Sequence, residues 1–73
     1  MGNEGQPARY AIRVGGALSE RLQRAFAGLE PWRDGQDTIL EGPVPDQAAL
    51  HGLLRRIEGL GLELIAVVRL DDR

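Results

Sequence analysis

Asp46 and His51 stand in the stretch DQAALHGLL, and the histidine is the only one in the chain. A carboxylate that orients an imidazole is a common general acid/base arrangement, so this pair is the first place to look for chemistry. The local pattern argues for a helix start instead. Asp46 follows Pro45 and precedes Gln47-Ala48-Ala49, where its carboxylate would accept the first unpaired backbone amides. On a helical wheel His51 falls at the solvent boundary of the stripe formed by Leu50, Leu54 and Ile57. No Ser or Cys is suited to a triad, and a second histidine for a metal site is missing. The reading is therefore not an enzyme, with no cofactor.

A second candidate is Gly15-Gly16 ahead of Ser19, where a helix N-terminus could hold an anion or an amino acid. The segment GGALS has neither the lysine nor the spacing of a phosphate loop, so turn geometry is the better account. Gly15, Gly16 and Ser19 remain the ligand loop of an alternative, small-molecule-sensing reading. Gly52 falls mid-helix, where glycine costs about 1 kcal/mol relative to alanine. Composition bias is the simpler explanation, and close approach by a partner backbone the other.

The elements that must position these residues are legible from periodicity. Residues 9–14 alternate, with Tyr10, Ile12 and Val14 on one face and Arg9, Ala11 and Arg13 on the other, as in a half-buried strand. From Ser19 the apolar spacing becomes three and four through Leu22, Ala25, Phe26 and Leu29, which predicts a helix capped by Ser19 and stopped by Gly28. Asp34-Gly35 between two short extended runs is a hairpin signal. Leu50, Leu53, Leu54, Ile57 and Leu60 predict a second helix ended by Gly59 and Gly61, and residues 62–70 a last strand that is nearly apolar on both faces.

The order strand, helix, strand, strand, helix, strand predicts an α+β, ferredoxin-like βαββαβ sandwich. Its sheet is antiparallel, in the order 4-1-3-2, with both helices on one face. That order puts the second strand at an edge, where Pro31, which has no amide to give a central ladder, is tolerated. Residues 1–8 read as a disordered tail and residues 9–73 as a single domain.

A chain of 73 residues without cysteine has no disulfide staple and buries only about 60% of its unfolded surface, which raises the expectation of self-association. Absent cysteine fits a reducing cytoplasm, and no apolar run is long enough to span a membrane. The net charge is −2 and the nine basic residues, all arginine, are spread along the chain, so there is no nucleic-acid footprint. The outward positions of strands one and three carry no aromatic on which a base could stack. The expected partner is a second copy, with another protein beside it. The expected interface is the open sheet face, with Ile39, Ile65 and Val67 on it and Trp32 beside them, or the edge of the fourth strand.

From YAIRVGGALSERLQRAF through LEGPVPDQAALHGLLRRIEGLGLELIAV, the chain resembles a family of short uncharacterised actinobacterial proteins built around a GPVxDQAALHGLL segment. That resemblance carries no biochemical role. More loosely it is similar to ferredoxin-like regulatory domains of the ACT type. These dimerise by sheet pairing and bind small molecules near the loop after the first strand, here residues 15–19. Acylphosphatases share the topology, but their anion-cradling loop is missing from this sequence.

Overall fold

The structure is a computed structural model that describes residues 8–70. Six elements follow in order: β1 (Ala8–Val14), α1 (Glu20–Arg24), β2 (Glu30–Asp34), β3 (Asp37–Val44), α2 (Gln47–Gly59) and β4 (Leu64–Arg69). The four strands form one antiparallel sheet in the order β2-β3-β1-β4, and together with the two helices the arrangement is broadly ferredoxin-like. Pro31 lies on β2, an outer strand, as its missing amide requires. The expected tail lies outside the described residues apart from Ala8, which opens β1 opposite Val44.

In an antiparallel pair, directly opposite residues share a face. Ile12 is opposite Leu40, Tyr10 opposite Gly42 and Val14 opposite Thr38, so these form one face. It packs with Leu18 and Phe26 from the α1 region and Leu50 and Ile57 from α2 into a single core. Both helical segments therefore contribute to the same side of the sheet. Thr38 is the buried polar member, and its hydroxyl donates to the Gly16 carbonyl at 2.7 Å.

Both helix starts are capped. Ser19 Oγ accepts from the Leu22 amide at 3.2 Å, and Asp46 Oδ1 from the Ala49 amide at 2.8 Å. The first helix is shorter than its periodicity predicts. After Arg24 the chain winds more tightly, through Ala25 N–H to Leu22 O, Phe26 N–H to Gln23 O and Leu29 N–H to Phe26 O, before Gly28 turns it at φ 99°. That tightening carries Phe26 into the core.

The second helix ends as its glycines foretell. The Gly61 amide bonds to Glu58 O and the Leu62 amide to Ile57 O, with Gly61 at φ 76°. This paired closure satisfies the last carbonyls while Leu62 packs on the core. Replacing Asp46 by alanine is expected to cost about 1 kcal/mol, read by urea unfolding, because it leaves the Ala49 amide without its acceptor. Retention of full stability by Asp46→Ala would show that water serves that amide equally well.

One glycine is fixed by packing alone. A Cβ built on Gly42 would lie 2.8 Å from the Gly28 carbonyl oxygen and 2.9 Å from Leu29 Cδ2. The turn between α1 and β2 rests directly on the backbone of β3.

Candidate functional site

Asp46 and His51 do not hydrogen-bond to each other. Asp46 is committed to the N-terminus of α2, and His51 is exposed one turn further on. Among the described residues no group of three or more His, Cys, Asp or Glu could hold a metal ion. No helix among them is long and apolar enough to cross a membrane.

The loop after β1 is already occupied by its own chain. Gly16 adopts φ 85° and its carbonyl accepts from Thr38; the Gly15 amide donates to the Glu63 carbonyl at 2.9 Å. A Cβ on Gly15 would meet the Glu63 carboxylate at 2.7 Å, so a negative charge sits against the loop. Ser19 spends its hydroxyl on the cap of a five-residue helix. These features leave little for an anion to bind among Gly15, Gly16 and Ser19.

The open sheet face differs in character from its sequence expectation. Arg13 reaches across from β1 and donates to Asp34, and through Nη1 to Asp37 Oδ2 at 2.9 Å. It ties both ends of the β2–β3 turn to the central strand. Its hydrogen bonds to Asp34 and then to Asp37 raise the pKa of the guanidinium above its ordinary value. Beside it Arg9 pairs with Glu41 at 3.6 Å, and the Trp32 indole N–H donates to Glu41 Oε1 at 3.4 Å. Ile39, opposite both Trp32 and Arg13, is only 6% exposed, yet it stands apart from the main core. On β3 this face therefore presents a covered isoleucine with ion pairs beside it, not a bare apolar patch.

Arg13→Gln should lower the unfolding midpoint in dilute buffer, with the difference from wild type shrinking in 1 M salt as screening removes the ionic part. A loss that is independent of salt would point to packing of the arginine stem instead.

Ile65 and Val67 do not join Ile39. Val67 is opposite Ile12 and therefore lies on the helix side of the sheet, while Ala66 and Val68 face the open side opposite Arg13 and Ala11. Between Arg13 and Val14 the register slips, because Ala66 is opposite Arg13 and Leu64 opposite Val14, leaving Ile65 as the extra residue of a bulge. The expectation of one patch made of Ile39, Ile65 and Val67 is corrected by this register.

What the structure brings together instead is β4 itself. Large hydrophobic side chains exposed among the described residues are Trp32, Leu60, Leu64, Ile65, Val67, Val68 and Leu70; four of these lie on β4 and Leu70 directly follows it, while Trp32 is on β2 and Leu60 caps the end of α2. Apolar surface is exposed on both faces of this outer strand, with Val68 at 50% on one and Val67 at 37% on the other. The Leu70 amide donates to Arg9 O, so the alternation of the antiparallel ladder turns the Val67 amide away from β1, along the outer edge.

A family model described as a domain of unknown function, DUF8691, matches residues 9–68. The chain belongs to this family. The match runs from the second residue of β1 to Val68 on β4, so the DUF8691 domain takes in every element of the sheet and both helices. No curated protein and no solved structure matches the chain. The features specific to this DUF8691 domain therefore have to be weighed on their own geometry.

Proposed function

We propose that this DUF8691 protein is a non-catalytic association module that forms a homodimer through the outer edge of β4. The observation that supports the reading is the concentration of exposed apolar side chains on that one strand, on both of its faces. An edge strand with an outward-facing amide at Val67, no proline and a single charged residue at its end is a template for another strand. The nearest copy with a matching strand is a second molecule of the same chain. Antiparallel β4–β4 pairing about a two-fold axis would give an eight-stranded sheet and satisfy the outward Val67 amide in both copies. The open sheet face is the poorer candidate, since stacking on it would strip water from the Arg13, Asp34, Asp37 and Arg9, Glu41 pairs.

Work in a reducing compartment such as the cytoplasm fits the absence of cysteine. Sedimentation velocity at micromolar concentration tests the proposal, with a species of twice the 8.0 kDa chain mass expected. Amide exchange on the same sample should find Val67 protected. A single species at 8.0 kDa would overturn the reading.

A further inference from the structure

At the opposite edge of the core from β4, the turn after α1, the end of β3 and one face of α2 enclose an open cleft of about 350 Å³. That is at the small end of the range for small-molecule sites. No residue of β4 contributes to it. Its walls include Ala27, Leu29, Pro43 and Pro45, and its α2 side runs Ala49, Gly52, Leu53, Arg56, one helix face at spacings of three and four.

Two observations give the cleft a chemical preference. Arg56 is the only charged residue that lines it, in a chain with more acidic than basic residues. The guanidinium is held by its own chain, with Nη1 donating to the Ala25 carbonyl at 2.6 Å, and none of the ion pairs among the described residues involves it. Its other N–H groups are left for an acceptor at the rim. Gly52 lines the cleft and faces open space, since a Cβ there would meet nothing within 4 Å. A mid-helix glycine that costs helix stability thus stands where a larger side chain would project into the cleft.

We propose that this cleft binds a small amphiphilic carboxylate, with the apolar body against Leu29, Pro43, Pro45 and Leu53 and the carboxylate on Arg56. A free acid suits the walls better than a peptide segment. Pro43 and Pro45 have no amides to offer a strand, and the backbone groups of α2 are engaged within the helix, so a peptide would bury polar groups without partners. A ligand with one charged end meets one arginine.

The test is a two-dimensional amide NMR titration of the full chain with sodium octanoate kept below its micelle range. Saturable shifts are expected at Ala27, Ala49, Gly52 and Leu53. Arg56→Gln should weaken binding about tenfold or more, and octan-1-ol should bind the wild type no better than octanoate binds that variant. Gly52→Leu should abolish the saturable shifts while its thermal midpoint equals or exceeds that of the wild type, since leucine favours the helix. The proposal is overturned by an absence of saturation, by shifts centred on residues 64–70 in place of the cleft, or by octanoate binding that survives either substitution.

Discussion

With the proposed β4–β4 pairing, Val68→Asp is expected to run as a monomer at concentrations where the wild type is expected to run as a dimer. Val68 is half exposed on the open side of β4, opposite Ala11, so the substitution disturbs little inside one copy. In a β4–β4 dimer it places two carboxylates in the new interface. Burial of each valine contributes roughly 1.5–3 kcal/mol, and two are lost, so the dissociation constant should rise by a factor of about a hundred or more. Light scattering across a dilution series reads the change directly. A second substitution separates edge pairing from mere stickiness. Val67→Pro keeps an apolar side chain but removes the outward amide, and proline is tolerated on an outer strand. Dimers that persist in Val67→Pro and Val68→Asp alike would remove β4 from consideration, provided circular dichroism finds both variants folded.

The other large effect is expected from a single methyl group. Gly42→Ala forces a Cβ to within 2.8 Å of the Gly28 carbonyl oxygen and against Leu29, so the turn between α1 and β2 must lift off β3. Overpacking of this kind costs about 1–3 kcal/mol, which for a domain of this size is a drop of roughly 4–8 °C in midpoint for each kcal/mol. Gly52→Ala is its control. The same chemical change at a helical position with open space around it should stabilise by up to about 1 kcal/mol. Urea unfolding of the two variants side by side should therefore move the midpoint in opposite directions. A neutral Gly42→Ala would mean that the turn is held far more loosely than the close approach implies.

These two glycines mark where sequence reading ends. Nothing local marks Gly42 as a position that must be glycine, because what fixes it is a turn packed against it from a different part of the chain. By contrast, Pro31 announced its place at a sheet edge, and Asp46 and Gly61 announced the two ends of α2, since each answers to backbone chemistry within a few residues. The face assignment on β4 failed for a physical reason. A strand apolar on both sides gives no alternation from which to read parity, and the bulge at Ile65 shifts it by one residue without any mark in the composition. Ile39 was legible as an open-face residue, but not as a covered one, because the cover comes from Trp32 and Arg13 on neighbouring strands. The same holds for the cleft, whose walls come from three separate segments. Its one local trace was the unfavourable glycine at position 52.

The placement of Pro31 reaches beyond the strand that holds it. Each copy has two sheet edges, one ending in an open apolar strand and the other in a strand carrying a proline. Once two β4 strands have joined, the sheet terminates on both sides in β2, which resists a further strand. Assembly by the proposed β4–β4 route would thereby be capped at two copies, with no second open edge from which a fibre could grow.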